Sequence, residues 1–187
     1  MSADLSIQGL VWLWFGSTPP SDGPADLVGP LLQQNELVTG SWRDGDVEVL
    51  VCENQGTWLW GRTSDGRFME RENRPGCPWT STDESEEQFW LHHAALEALM
   101  RMPAARCAQL QDETSLIRLE AFSQPLPCGT WRWMGCQHVR HRQATVVTVM
   151  RDEQGGVEVM AGGPTERELS WIDGLGIEWN ILDSRTG

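Results

Sequence analysis

Lysine and tyrosine are both missing from this sequence. All 14 basic residues are arginine, and the aromatic set consists of eleven Trp and four Phe. The missing lysine is read as the codon bias of a GC-rich genome and carries no functional weight. Positive charge itself is scarce: 27 acidic residues give a formal net charge of -13. A field of that sign repels phosphate backbones, which excludes direct nucleic-acid binding, and it attracts basic proteins. Long apolar runs are absent too, and nothing approaches the roughly 18–20 residues of a membrane span. The opening, MSADLSIQGLVWLWFG, has no basic residue, and its apolar part, Leu10 to Phe15, is too short for a secretory signal. The five cysteines, Cys52, Cys77, Cys107, Cys128 and Cys136, form no C-x-x-C pair and are odd in number. A cytoplasmic protein with reduced thiols is expected. Walker, Rossmann, G-x-S-x-G and H-E-x-x-H signatures are all lacking, so neither an enzyme nor a bound cofactor is expected.

What is present reads as one domain. The 187 residues are 40% hydrophobic, enough for a core without staples. Leu5 to Phe15 is Trp-rich and ambiguous between a strand and a buried helical turn. The stretch from Ser17 to Pro24 is a loop, and Ala25 to Gln34 allows a short helix that Pro30 begins or interrupts. Val47, Val49 and Val51 alternate with Glu48, Leu50 and Cys52, the period of a half-buried strand. Glu53 to Gly56 supplies a turn, and a second strand follows with Trp58 and Trp60 on one face and Leu59 on the other. The polar stretch from Ser64 to Trp79 reads as a surface connection.

The plainest helix runs from Ser81 to Arg101. Ser81 and Glu84 have capping-box spacing, and acidic residues crowd the first turns. Phe89, His93, Leu96 and Met100 recur at helical spacing, with Leu99 beside them, and Pro103 ends the helix. Past a less regular stretch, WRWMGC and ATVVTVM read as strands, DEQGG as a turn and VEVMA as the returning strand. Thr165 and Glu168 cap a short helix closed by Gly174 or Gly176, and IEWNI ends as a strand. Strands, helix, strands, helix is the order of an α+β fold with an antiparallel sheet and helices on one side.

CENQGTWLWGR, then RENRPGCPW, then EEQFWLHHAALEALM is similar to the SUKH superfamily, above all its bacterial branch of immunity proteins and fungal cell-wall-synthesis-regulator homologues. The matching positions are Glu53, Asn54, Gln55, Gly56, Trp58, Trp60 and Leu91 to Ala98, and GPTERELSWIDGLGIEW resembles the family's closing helix and strand. The likeness spans Val47 to Met100 and Thr130 to Trp179. Residues 1–46 depart from the usual opening, a longer amphipathic helix. The resemblance implies a single SUKH-like α+β domain with a central, largely antiparallel sheet and flanking helices. It also implies a binding role, commonly neutralisation of a polymorphic toxin, often a basic nuclease. The alternative within the superfamily is a regulatory protein-interaction module with no toxin partner.

Candidate contact residues follow from charge. Asp83, Glu84, Glu86 and Glu87 form one acidic group, Glu70 and Glu72 extend it, and Asp44 and Asp46, with Glu48, form a second. Such carboxylates would pair with the arginines and lysines by which a nuclease holds phosphates. Trp58 and Trp60 read as hairpin core, with an interface anchor as the other reading. Glu53, Asn54 and Gln55 read as satisfying the turn. Cys128, Cys136, His138 and His141 fit no standard zinc spacing, and Arg140 and Arg142 add repulsive charge, so no metal is expected. His92 and His93, adjacent on a helix, point in different directions and read as satisfied histidines.

Overall fold

The alternation at Val47, Val49 and Val51 is realised as a strand in which buried and half-buried residues alternate from Val47 to Glu53. The structure, a computed structural model, describes residues 6–133 and 135–182. Among the described residues the strands form two six-stranded antiparallel sheets. The first runs β1 (Asn35–Leu37), β3 (Val47–Glu53), β4 (Trp58–Thr63), β5 (Phe68–Glu72), β6 (Thr80–Ser81), with β2 (Arg43–Asp44) also paired to β3. The second runs β12 (Asn180–Leu182), β7 (Ala104–Leu110), β11 (Val157–Gly163), β10 (Thr145–Arg151), β9 (Cys136–Arg142), β8 (Gln124–Pro125). The helices are α1 (Ile7–Phe15), α2 (Pro24–Val28), α3 (Glu86–Arg101), α4 (Glu113–Phe122) and α5 (Glu166–Leu169). The fold is therefore α+β with antiparallel pairing, its strands shared between two sheets. Of the Trp-rich opening, Leu5 lies outside the described residues, and the remainder is the helix α1.

Register in the first sheet depends on one glycine. The β3–β4 ladder shifts between Val49 and Val51, opposite Gly61. A Cβ at Gly61 would lie 2.5 Å from the Glu48 carbonyl oxygen, so only glycine fits this close approach. Trp60 is fully buried and pairs with Val51, and Trp58 and Trp60 join the same hydrophobic cluster.

Helix α3 is buried continuously from Phe89 to Leu99. An amphipathic stripe predicts one buried face, but α3 touches both sheets. Phe89 stacks on Phe68 of β5 at 4.3 Å, and His93 meets Trp60 of β4 edge-on at 5.1 Å. Leu99 lies over Gly162 of β11, where a Cβ would come 2.9 Å from Leu99 Cδ1. α1 and α2 add to the same cluster through Leu10, Val11, Leu27 and Val28. Two-sided packing is what draws His92, His93 and Glu97 into the interior. Met100, read as part of the stripe, is instead exposed.

Three local expectations are corrected. The helix begins at Glu86, not Ser81: Ser85 accepts from Gln88 N while the Gln88 side chain accepts from Ser85 N. Ser81 belongs to β6, and the irregular residues after it, with Asp83 at φ 55°, carry Glu84 inward. Second, the polar connection contains β5, which continues the sheet from β4 to β6. Its inward residues are Phe68 and Glu70, and a charged residue on the buried face disguised the alternation. Third, WRWMGC is not a strand. Trp131 makes one bridge to Gln137, Met134 lies outside the described residues, and the strand is β9. The preceding less regular stretch holds β7 and α4. β9 escaped because its buried positions include Gln137 and His141.

The second sheet is covered on both faces, and β10 is buried from Thr145 to Met150. Val146 faces α3, while Val147 and Val149 join Leu116 and Leu119 of α4 and Ile172 of the 3-10 turn Ser170–Leu175. Thr165 caps α5 as expected, and Gly176, at φ 72°, closes the turn in the left-handed region. No helix among the described residues is long and apolar enough to cross a membrane.

Candidate functional site

Two of the acidic residues assigned to a contact patch lie inside the molecule, which corrects their assignment. Glu84 is 8% and Glu70 only 1% exposed. Their carboxylates grip the segment that leads into β9. Glu84 Oε1 accepts from Gly129 N at 2.8 Å, and Oε2 accepts from Trp131 Nε1 at 2.7 Å. Glu70 Oε1 accepts from Arg132 N at 2.7 Å, and Oε2 from Trp58 Nε1 at 3.1 Å. Gly129 is required here, since a Cβ would lie 2.5 Å from the Thr82 carbonyl oxygen. The reason for burial is the donor set: backbone N–H groups and indole N–H groups would otherwise go unpaired in an aromatic interior.

Around these carboxylates the rings are close-packed. His92 stacks on Trp131 with centroids 3.7 Å apart, and its Nδ1 stands 2.9 Å from Glu84 Oε1. His93 packs against Trp60, Phe89 and Trp131. Neither of its ring nitrogens has a partner among the described residues. Only His92 therefore meets the expectation of a satisfied histidine, and only at Nδ1. Burial, helped by the neighbouring His92, holds His93 well below the usual imidazole range, so it is a neutral core ring. Burial pushes the Glu70 carboxyl up to about 7, and the raise is opposed by its hydrogen bonds from Arg132, Trp58 and Trp133. Cys128 is also close. Burial, and then the charge of Glu84, raise its thiol far above the ordinary value.

The remaining zinc candidates form no ligand group with Cys128 among the described residues, although His138 lines the same groove. His138 and His141 are three residues apart on β9 and so take opposite faces, and the Cys136 side chain lies outside the described part of the structure. His138 contacts the Thr130 hydroxyl at 3.2 Å.

The E-N-Q-G element builds its turn as expected. Glu53 Oε2 accepts from Gln55 N, Thr57 N and the Thr57 hydroxyl. Gly56 takes φ 72°, and its carbonyl accepts from Asn73 Nδ2. Asn54 Nδ2 donates to Gln34 Oε1, which ties the turn to the segment after α2.

The other acidic candidates face outward and fall into two sorts. Asp44 and Glu72 are occupied: Asp44 pairs with Arg71 at 2.9 Å and accepts from Trp79 Nε1, and Glu72 pairs with Arg74 at 2.5 Å. Asp46, Asp83, Glu86 and Glu87 are exposed. Arg62 on β4 stands between Glu86 and the half-exposed Glu48, at 3.9 and 3.8 Å, and so joins the helix start to β3. Asp46, Asp83 and Glu87 have no ion-pair partner among the described residues. The two candidate acidic groups thus meet in an acidic ridge at Arg62, through Glu48 and Glu86.

Sequence reasoning did not connect Cys128, Gly129, Trp131 and Trp133 with Glu70 and Glu84. The available signal was chemical rather than periodic: a Trp-rich segment outside any strand brings indole donors that need acceptors when buried. No family model, curated protein or solved structure matches the chain.

Proposed function

We propose that this chain is a cytoplasmic binding protein of the SUKH kind, an immunity protein that neutralises a basic toxin domain by holding it on the acidic ridge. A nuclease fits best, because its phosphate-holding arginines and lysines are the natural partners of exposed carboxylates. The observation that carries this reading is the ridge itself. Glu48 and Glu86 flank Arg62, and the exposed Asp46, Asp83 and Glu87 are their neighbours in sequence, in a chain of net charge -13. Long-range attraction then speeds encounter and orients the partner, while contacts outside the ridge supply affinity. The inward carboxylates are structural in this reading, and the protein performs no catalysis.

The test is capture from the native host with the whole chain as bait, at low and at high salt. Recovery of one basic protein whose toxicity the chain abolishes supports the proposal. So does an association rate that falls about ten-fold or more when Asp46, Glu86 and Glu87 are reversed to Lys. Recovery of a non-toxic partner, with a rate indifferent to salt and to the reversals, would replace it with the regulatory interaction module.

A further inference from the structure

Glu84, His92 and Cys128 come from three separate segments: the irregular residues before α3, α3 itself and the stretch before β9. One donor atom from each lies within 4.8 Å of the others. We infer that these three side chains form a binding site for a divalent transition-metal ion of borderline softness, with Zn(II) as the best fit. Thiolate, imidazole and carboxylate are the three donor types that zinc accepts together. Bonds of about 2.0–2.3 Å to tetrahedral zinc set donor separations of roughly 3.3–3.7 Å, so the widest of the present separations must close by roughly 1.1–1.5 Å at most, and the 2.9 Å contact between His92 Nδ1 and Glu84 Oε1 must open.

Charge favours the same occupant. A thiolate and a carboxylate balance a dication, which leaves no net charge in an interior where an unpaired one is costly. On binding, the Cys128 S–H bond breaks, the sulfur lone pair forms the S–Zn bond and the proton leaves to solvent. No electron changes hands. Glu84 is already oriented by Gly129 N and Trp131 Nε1, and His92 by its stacking on Trp131, the outer contacts that fix metal ligands in place. Of the three ligands, Cys128 lines a groove of about 210 Å³ together with Gly129 and His138, the side from which an ion would enter. The ion would cross-link α3, the residues that precede it and the distant stretch before β9, so its effect is on stability and is independent of any toxin.

The experiment titrates Co(II) into the whole chain after treatment with chelator. The expected result is one Co(II) per chain, with thiolate charge-transfer absorption and intense tetrahedral d–d bands. Zn(II) displaces both signals, Cys128→Ser loses them and Cys77→Ser keeps them. Zinc also raises the melting temperature of wild type but not of Cys128→Ser. If Cys128→Ser does not fold, alkylation of wild type decides: zinc must remove Cys128 from reaction with iodoacetamide while Cys77 reacts as before. Absence of the charge-transfer band in wild type, its persistence in Cys128→Ser, or Cys128 alkylation unchanged by zinc overturns the site.

Discussion

Glu84 and Glu86 are two residues apart and have opposite fates. The first is buried against Gly129, Trp131 and His92, and the second sits on the surface beside Arg62. The same division separates Glu70 from Glu72, which share one face of β5: Glu70 reaches Trp58 and Arg132 in the interior, while Glu72, at the end of the strand, pairs with Arg74. A carboxylate in the first environment holds a loop together, and one in the second contributes to the negative field at the surface. Residue type and sequence neighbourhood do not distinguish them. The donors waiting at each position do.

That contrast can be broken most forcefully at Glu84. Glu84→Ala leaves Gly129 N and the Trp131 indole as buried donors without acceptors and removes the partner of His92 Nδ1. Chemical denaturation is expected to show a loss of about 3–5 kcal/mol. A loss below 1 kcal/mol would mean that water replaces the carboxylate and that the interior is not closed.

Glu70 gives the next largest effect, visible in pH dependence. Its folded carboxyl is raised from an ordinary 4.5 to about 7. Between those values the folded chain keeps a proton that the unfolded chain has released. Stability therefore falls as pH rises through that window, by up to about 3 kcal/mol, and levels off above it. Glu70→Gln lacks this titration. Unfolding free energies of the two proteins, measured from pH 4.5 to 7.5, should diverge by that slope, and parallel curves would contradict the assignment.

Glu53 tests a milder inward role, because it serves a turn at the rim of the sheet. Glu53→Ala removes the acceptor of Gln55 N and Thr57 N, with an expected cost of about 1–2 kcal/mol. Faster hydrogen exchange confined to residues 53–57 and their pairing partners is the matching readout. The smallest stability effect belongs to the ridge. Glu86→Gln with Glu87→Gln should shift unfolding by no more than about 0.5 kcal/mol, while slowing association with the captured partner. A ridge pair that destabilised as much as Glu84→Ala would erase the comparison.

Local signals were legible where they act over a few residues. The β3–β4 and β10–β11 hairpins are written in valine alternation and in Gly-bearing turns. α3 is announced by its acidic opening and by Pro103, while its start and the place of Met100 were misread. Two overlapping capping boxes, Ser81 with Glu84 and Ser85 with Gln88, both satisfy the local rule. The choice between them was made when Glu84 was claimed by residues 45 and 47 positions away. β5 and β9 were hidden for a related reason, because their inward faces carry Glu70, Gln137 and His141, which break the polar–apolar code.

Sequence alone determined the α+β class, the main hairpins, the central helix and the acidity that any partner must meet, because spacing, turn chemistry and net charge need no knowledge of distant residues. Tertiary structure alone decided which carboxylates form the ridge and which hold the interior, and that Cys128 joins Glu84 and His92. Burying a carboxylate is favourable only where donors from remote segments converge on it, and that convergence exists only once both sheets have closed on α3.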